Sequence, residues 1–354
     1  MTDAYIVGAV RSAGGKKNGR LSKIHPIDLA AEVVDALVAK TGVAVSEIDD
    51  LIFGCVSQVG AQSSNIARNI CLSSVLGEVV PGTTVDRQCG SGQQAMHFAA
   101  QGVLSGTQDL VIAGGVESMS QVPIGANIID GYKAEHGLPY GKKMSERYPG
   151  VQFNQFAGAE MLAHKHELTQ NELNAFAFDS HVKAKRAVLE GRFKDEIVAI
   201  QIELEDGTTE SHEQDEGIRM DATLGAIAGL QPLQENGLLS AANASQICDG
   251  AAAVMIANGA TCKRLGLKPL ARIIAMSVIG SDPVIMLEGP IPATKKVLEK
   301  ANLSVDDIDL FEVNEAFGSV PLAWVKALGA DISKLNVNGG AQALGHPLGG
   351  TGAK

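Results

Sequence analysis

The chain has 354 residues and 45% of them are hydrophobic, which suffices for a large core and predicts two or three domains. Its formal charge is −11, with 29 Lys and Arg against 40 Asp and Glu and no long basic run. This balance argues against nucleic acid or an anionic membrane surface as a partner, because both need clustered cations. Polar residues interrupt the apolar stretches before they reach the length of a membrane span, so we expect no membrane insertion.

The cysteines are scattered along the chain and form no CxxC pair, a pattern typical of free thiols in a reducing compartment. No signal peptide is recognisable, because a strand is predicted already at residues 5–10. We therefore expect a cytoplasmic location. We expect no metal site, since His164 and His166 do not share a helix face and no cysteine or carboxylate set accompanies them.

The N-terminal third alternates between strands and helices. Pro26 and Asp28 are typical of the first turn of a helix. The alternation is typical of a parallel sheet covered by helices on both faces, so the sequence predicts an α/β fold. Strands are predicted at 5–10, 51–56 and 110–113, and helices at 26–40, 65–76 and 93–102.

The pattern changes after residue 118. Residues 119–154 show no clear period and are predicted to form a loop, and 197–205 alternates like an edge strand with a hairpin turn after it. Helices are predicted at 157–165 and 170–190, and 251–257 is predicted to return to the core as a strand. We interpret 119–245 as an insertion over the mouth of the first sheet, where functional loops tend to lie.

The last third of the chain repeats the first loosely. A Pro-Ile dipeptide, a helix and a strand follow one another in 26–53 and again in 290–313. An internal duplication predicts two similar α/β halves with a site between them, whereas chance similarity between two α/β units is the alternative. In this alignment the turn at 338–353 lies opposite the turn that contains Cys89.

The sequence DRQCGSGQQA (86–95) contains the candidate nucleophile. Cys89 follows a β-like segment and precedes a predicted helix, so the free N–H groups of the helix N-terminus should lower the pKa of its thiol. The neighbouring glycines allow a substrate carbonyl to approach both the sulfur and those N–H groups. A buried structural cysteine beside a tight turn is the alternative interpretation.

Two further stretches supply candidate partners for Cys89. His346 lies in the glycine-rich stretch 339–350, and pairing with histidine is an ordinary way to form a thiolate at neutral pH. Asn314, which begins NEAFG after a predicted strand, can hold a water or a histidine without competing for the proton. A lone loop histidine is otherwise a surface or structural residue.

Five motifs in order along the chain resemble the thiolase family. The resemblance implies a thiolase-like, duplicated five-layer αβαβα sandwich with an inserted loop domain. Residues 1–118 and 246–270 would form the N-terminal half, 119–245 the loop domain and 271–354 the C-terminal half. The motifs are DRQCGSGQQA, AGGVESMS (113–120), NASQICDGAAA (243–253), NEAFG and GGAQALGHPLGGTGA.

The resemblance also implies the activity and the roles of matching residues. Thiolases cleave 3-oxoacyl-CoA with CoA, or condense two acyl-CoA molecules in the reverse direction. Cys89 would become acylated, His346 would take the thiol proton and donate to an oxyanion, and Asn314 would hold a water in that oxyanion hole. CoA and acyl-CoA enter as substrates, and no cofactor is bound. The expected CoA contacts are Arg219 at the nucleotide, Ser245 at the pantetheine arm, and Ala316 and Phe317 along the pantetheine tunnel.

The resemblance further implies a homodimer or homotetramer, with 62–68 placed to meet a partner subunit. The basic stretch 183–194 is either a solvated helix face or a surface that attracts CoA phosphates. Ketosynthase-type condensing enzymes share the fold, but they pair their cysteine with different motifs.

The sequence departs from the family in two places. The CxGGG loop with the second catalytic cysteine does not occur before Lys354, so we expect a C-terminally truncated member. Cys248 and Cys262 are not candidates for the missing role, and Cys248 is expected in the core. Residues 153–160 lack the Met-Gly-x-Thr-Ala-Glu pattern of biosynthetic acetoacetyl-CoA thiolases, which favours a degradative 3-ketoacyl-CoA thiolase. A thiolase-like acyl-CoA-binding protein without turnover is the alternative.

Overall fold

The computed structural model describes residues 3–204 and 206–354. The strands there are β1 (Ala4–Ser12), β2 (Gly15–Lys16), β3 (Asp50–Gly54), β4 (Gly82–Val85), β5 (Leu110–Ser118), β6 (Ile197–Val198), β7 (Ile200–Glu203), β8 (Thr209–His212), β9 (Cys248–Asn258) and β10 (Ala271–Arg272). The α-helices are α1 (Pro26–Thr41), α2 (Ile66–Ser73), α3 (Ser91–Ser105), α4 (Ala126–Lys133), α5 (Lys142–Arg147), α6 (Gln155–Lys165), α7 (Gln170–Leu189), α8 (Leu224–Ala228), α9 (Gly259–Leu265), α10 (Pro290–Ala301), α11 (Ser319–Leu328) and α12 (Ala341–Leu344).

The main sheet has the strand order β10-β1-β9-β5-β3-β4, with β2 and β6 added at β9 and β1. Strands β3, β4 and β5 are parallel, whereas β9 is antiparallel to both β1 and β5. All residues of β5 and β9 are buried, because helices cover both faces of the sheet. The sheet is therefore mixed, and the predicted strands of the first third are confirmed.

Alternate residues of the same strands face two different cores. Leu51 and Phe53 of β3 pack with α1 and α2, whereas Ile52 packs with Ala99 and Val103 of α3. This period of two places helices on opposite faces of one sheet, as the α/β pattern of the sequence predicts.

The segment after β5 is more helical than the sequence predicts. The structure contains α4 and α5 within 119–154, and almost all of their side chains are exposed or half-buried. Because neither helix buries an apolar face, the sequence shows no helical period there, and the prediction of a loop was wrong for both. The predicted edge strand is divided into β6 and β7, and its last residue, Glu205, lies outside the described residues.

A second core surrounds Trp324 of α11, whose Nε1 donates to Thr294 Oγ1 at 2.9 Å. The strand predicted at 308–313 is reduced to an isolated parallel bridge between Phe311 and Leu335. Beyond Phe311, the side chain of Asn336 both donates to and accepts from the backbone of Val313 at 2.9 Å, so the chain turns towards the site instead of extending a ladder.

None of the helices in the described ranges is long and apolar enough to cross a membrane.

Candidate active site

Cys89 lies in the tight turn between β4 and α3. The hydroxyl of Ser91 accepts from the N–H of Arg87 at 2.9 Å and donates to the carbonyl of Gln88 at 2.6 Å. These bonds hold Gln88 at a φ of 49°, in the left-handed region that non-glycine residues rarely adopt. The side chain of Ser91 therefore fixes the turn that presents Cys89 at the start of a helix.

The thiol of Cys89 is half-buried among apolar side chains. Burial raises the pKa of Cys89 to about 11, the carboxylates of Glu117 and Asp86 act in the same direction, and the N–H of Cys89 itself opposes them. The expected lowering of this pKa was wrong, because apolar burial outweighs the N–H groups at the helix N-terminus. The side chains packed around the sulfur are Val56, Met119 and Leu348.

Glycines allow the histidine turn, defined here as residues 340–351, to approach the cysteine turn. The carbonyl oxygen of Gly349 lies 2.7 Å and 2.8 Å from where a Cβ would stand at Gly54 and Gly92, and it overlaps the corresponding position at Gly115. Any side chain at these three positions would push the histidine turn away from β3, β5 and the first turn of α3.

His346 is 3% exposed, and its two ring nitrogens have different partners. Nδ1 lies 2.6 Å from Thr351 Oγ1, and the Thr351 hydroxyl donates to the carbonyl of Pro347 at 2.9 Å. Since a hydroxyl has one proton, Thr351 Oγ1 accepts from Nδ1–H, which leaves the lone pair of the ring on Nε2. Nε2 lies 3.3 Å from Asn314 Nδ2, a donor.

Burial lowers the pKa of His346 to about 4, and the ammonium group of Lys354 acts in the same direction. The imidazole is therefore neutral near pH 7 and basic at Nε2. Among the described residues, no hydrogen bond joins this ring to the thiol of Cys89. The two are linked instead by Leu348, two residues after His346, which packs against Cys89.

Three of the four residues expected to contact CoA lie together. The N–H of Ser245 donates to the carbonyl of Ala316 at 2.9 Å, and Ala244 forms a bridge with Phe317. The ring of Phe317 packs edge-to-face on Phe156, with 5.3 Å between centroids. Ala316 and Phe317 come two and three residues after Asn314, whose Nδ2 lies 3.3 Å from the imidazole.

Arg219 lies in a cleft of about 460 Å³ along α7, which none of those three residues lines. Its backbone N–H donates to His181 Nδ1 at 3.2 Å, while its side chain is exposed. The cleft combines an apolar floor with three cationic side chains. Its lining consists of Phe178, His181, Val182, Lys185, Arg186, Leu189, Glu190, Arg219, Met220 and Ala222.

Sequence reasoning missed two buried carboxylates beside the site. Glu315 accepts from Ser180 Oγ at 2.8 Å, Asn336 Nδ2 at 2.9 Å and the N–H of Gln342 at 3.0 Å. It thereby holds the start of the histidine turn next to Asn314. Glu117 accepts from the N–H of Gly349 at the other end of that turn. The available signal was a carboxylate inside each of two otherwise small or apolar motifs, AGGVESMS and NEAFG.

Comparison with known proteins agrees with this geometry. The family model for the thiolase N-terminal domain matches residues 4–260, and that for the thiolase C-terminal domain matches 267–354. The chain belongs to the thiolase family. Its activity is thiolase activity, the transfer of acyl groups between coenzyme A thioesters, with CoA as a substrate and no further cofactor.

Individual thiolases resemble the chain over its whole length. It is 47% identical over 356 residues to Steroid 3-ketoacyl-CoA thiolase FadA6 of Mycobacterium tuberculosis, with 100% of this chain and 86% of that protein covered. It is 42% identical to a 3-ketoacyl-CoA thiolase of Acinetobacter baumannii, with 99% and 89% covered. These shares of the relatives' lengths do not support the expectation of a C-terminally truncated member.

The fold is similar to that of a solved thiolase. The crystal structure of the Bacillus anthracis acetyl-CoA acetyltransferase has a TM-score of 0.90 and 38% sequence identity to this chain, with 100% of this chain and 90% of that one covered. This similarity and the mixed sheet with helices on both faces confirm the thiolase-like α/β sandwich predicted from the sequence.

Proposed function

We propose that this thiolase works through an acyl-Cys89 intermediate with His346 as the base. The observation that carries the proposal is the contact of His346 Nδ1 with Thr351 Oγ1, whose own proton goes to the carbonyl of Pro347, because this arrangement leaves Nε2 able to accept a proton. The imidazole is neutral near pH 7, so its Nε2 is free to take the proton of a thiol that is itself neutral at rest.

In the proposed acylation step, the proton of the Cys89 thiol moves to Nε2 of His346 as the sulfur bonds to the thioester carbonyl carbon. The carbon–sulfur bond to CoA then breaks, and the CoA thiolate takes the proton from the imidazolium. The products are acyl-Cys89 and CoA. The N–H of Cys89, at the start of α3, supplies one donor to the tetrahedral oxyanion, and each such donor is typically worth about 3–4 kcal/mol in the transition state.

Asn314 is proposed to complete a second oxyanion site for the enolate of the other acyl-CoA. Its Oδ1 is buried and has no hydrogen-bond partner in the described part of the chain. Such an atom is ordinarily satisfied by a water or a ligand, which supports the water expected there.

The second cysteine of the family mechanism has no counterpart in Cys248. Burial raises the pKa of Cys248 to about 12, and its thiol donates to the carbonyl of Asp249 at 3.4 Å. The expectation that Cys248 lies in the core is confirmed, since it is 2% exposed. We assign it no role in proton transfer.

We propose two contact regions for coenzyme A. The cleft along α7 would receive the nucleotide, because Arg219, Lys185 and Arg186 place positive charge beside apolar walls that suit an adenine. Ser245, Ala316 and Phe317 would line the pantetheine arm on the way to Cys89. The basic surface considered for 183–194 thus contributes two residues to the cleft.

We propose a 3-oxoacyl-CoA longer than acetoacetyl-CoA as the substrate, cleaved in the degradative direction. The absence of the Met-Gly-x-Thr-Ala-Glu pattern from 153–160 supports this, as do the names of the mycobacterial and Acinetobacter relatives. The competing possibility is acetoacetyl-CoA formation. The ratio of kcat/KM for a C10 and a C4 3-oxoacyl-CoA, in thiolysis, decides between them.

We propose a homodimer or homotetramer in the cytoplasm. Leu72, Val75 and Val79, in and after α2, expose 53%, 52% and 76% of their surface, which suits an apolar interface close to the expected segment 62–68. Gln62 itself is fully buried. Sedimentation that shows only monomer would contradict the oligomer.

The cysteines all carry free thiols, which supports a reducing compartment such as the cytoplasm.

The proposed domain division is 1–118 with 246–270, 119–245, and 271–354. It is supported by the pairing of Ser118 with Asp249 across β5 and β9, because the segment between them leaves and re-enters the sheet at the same end.

The residue roles are tested by thiolysis of a 3-oxoacyl-CoA. Cys89→Ala is expected to abolish turnover, and Asn314→Ala to lower kcat by about 10²–10³. Cys262→Ala, a buried cysteine in α9 away from the site, is the matched control and should retain wild-type kcat. Turnover by a folded Cys89→Ala protein would refute the proposal.

A further inference from the structure

Glu117, at the end of β5, is a fully buried carboxylate surrounded by donors. Its Oε2 accepts from the N–H of Val56 at 3.0 Å and the N–H of Gly349 at 2.9 Å. Its Oε1 accepts from the N–H of Ser57 and from Gln62 Nε2, both at 2.9 Å. Burial raises the pKa of Glu117, and these four bonds oppose that effect. Because all four partners are N–H donors, only the ionised carboxylate accepts every bond, and a protonated or amide group would oppose at least one donor.

The groups that donate to Glu117 lie next to the three side chains that pack around the Cys89 sulfur, which are called its walls here. Val56 is itself one wall, and Leu348, directly before Gly349, is another. The third wall, Met119, follows Ser118, whose N–H donates to Gln62 Oε1 at 2.6 Å. One buried carboxylate and one amide thus connect all three walls, which belong to different segments of the chain.

We propose that Glu117 is a positioning residue, whose ionised side chain fixes the histidine turn against the cysteine pocket through Gly349 and Val56. The inference rests on the proposed roles of Cys89 and His346. A rigid connection is useful here because the thiol and the imidazole share no hydrogen bond, so their alignment depends on how the two turns that carry them are held together. A misplacement of about 1 Å between reacting groups can cost about 10²-fold in rate.

The charge of Glu117 has a separate consequence for the thiol. Its carboxylate raises the pKa of Cys89, as does that of Asp86, in addition to the effect of burial. Removing the charge should therefore make the thiol ionise at lower pH. Because burial also raises this pKa, loosening the turn would hydrate the thiol and act in the same direction, so the charge effect is measured against a variant that keeps the carboxylate but loosens the turn.

Two substitutions separate the reach of Glu117 from its charge. Glu117→Gln keeps the length and removes the charge, and Glu117→Asp keeps the charge but is one methylene too short to span Val56 and Gly349. We expect both to lower the rate of acetyl-Cys89 formation from acetyl-CoA by about tenfold or more. The pH profile of Cys89 alkylation by iodoacetamide should lie at lower pH in Glu117→Gln than in Glu117→Asp, because only the first variant also removes the charge.

Asp49→Asn is the matched control. The Asp49 carboxylate accepts from the N–H groups of Asp109 and Leu110 at the opposite end of β3 and β5, at 2.6 and 3.0 Å. This variant should acylate at the wild-type rate and show an unshifted alkylation profile. An equal loss in Asp49→Asn would overturn the proposal, because the effect would then be general to the sheet.

The remaining outcomes are also decisive. If a folded Glu117→Gln acylates at the wild-type rate, the inference alone is overturned. The same holds if its alkylation profile lies at no lower pH than that of Glu117→Asp. A wild-type protein that forms no acetyl-Cys89 refutes the proposed function, and this inference with it. If both Glu117 variants fail to fold, Gln62→Met replaces them, because it removes one of the four donors to the carboxylate. We expect this variant to acylate at a rate a few-fold below that of wild type. An unchanged rate overturns the proposal.

Discussion

Nδ1 of His346 lies 2.6 Å from Oγ1 of Thr351, a hydroxyl whose own proton is donated to Pro347. This contact places the ring proton on Nδ1, and the donor Asn314 Nδ2, 3.3 Å from Nε2, favours the same tautomer. Without an acceptor at Nδ1 the ring would be free to place its proton on Nε2, next to Asn314, and would lose the lone pair that the acylation step needs.

Thr351→Val tests this contact because it keeps the shape of the side chain and removes the acceptor. We expect the acylation rate to fall by about tenfold, less than the roughly 10²–10⁴-fold typical of general-base catalysis as a whole, because the imidazole remains and only its preferred tautomer is lost. Thr351→Ser restores the hydroxyl and should retain most of the rate. The tautomer argument fails if the valine variant, folded as wild type, acylates at the wild-type rate.

Arg219→Ala tests the cleft along α7 as the nucleotide site. Because the side chain would contact only the non-reacting end of CoA, we expect KM for CoA to rise about tenfold with kcat unchanged. Arg264→Ala, outside the cleft and paired with Glu47 at 2.7 Å, is the control. A loss in kcat with KM unchanged would contradict the assignment.

The buried histidine makes stability depend on pH in a defined direction. The pKa of His346 is about 4 in the folded protein against 6.5 for the free side chain, so the unfolded chain binds the proton first as pH falls. Stability is therefore full above pH 6.5 and decreases as the pH falls towards 4, by up to about 3 kcal/mol from this residue. His181, with its pKa also lowered to about 4 by burial, acts in the same sense.

Urea unfolding of wild type and His346→Gln at pH 7 and pH 4.5 measures this contribution. The variant should lose less free energy of unfolding than wild type between the two pH values. Equal losses in both proteins would show that protonation of His346 does not oppose folding.

Arg11 connects β1 to the loop region through a buried ion pair. Its guanidinium binds Asp215 through two bonds of 2.8 and 3.0 Å, and it lowers the pKa of Asp215 to about 2. Arg11→Met leaves that carboxylate buried with weaker compensation, and we expect a loss of about 3 kcal/mol in the free energy of unfolding. Arg20→Met breaks the exposed pair with Glu210 and should cost less than about 1 kcal/mol. Similar losses in the two variants would contradict this account.

The sequence allowed the first sheet to be predicted because its strands are short apolar runs between recognisable helices. It also allowed Cys89, His346 and Asn314 to be chosen, since each lies in a glycine-rich or polar turn with reactive chemistry. The helices α4 and α5 were missed because they bury almost nothing and so impose no period on the sequence.

The electrostatics of the site could not be predicted from the sequence. The thiol pKa of Cys89 rises rather than falls because Val56, Met119 and Leu348 surround it, and these come from three distant segments. Glu117 was missed for the same reason. Its partners at positions 56, 57, 62 and 349 come together only in the folded chain.

The central claim is that Cys89 and His346 are assembled as nucleophile and base, and trapping of an acetyl-enzyme tests it most directly. The protein is incubated with acetyl-CoA, quenched in acid and digested, and the acetyl group is located by mass spectrometry. We expect acetyl on the Cys89 peptide in wild type and none in His346→Ala. A folded wild-type protein that carries no acetyl group on Cys89 would contradict the account and favour an acyl-CoA-binding protein without turnover.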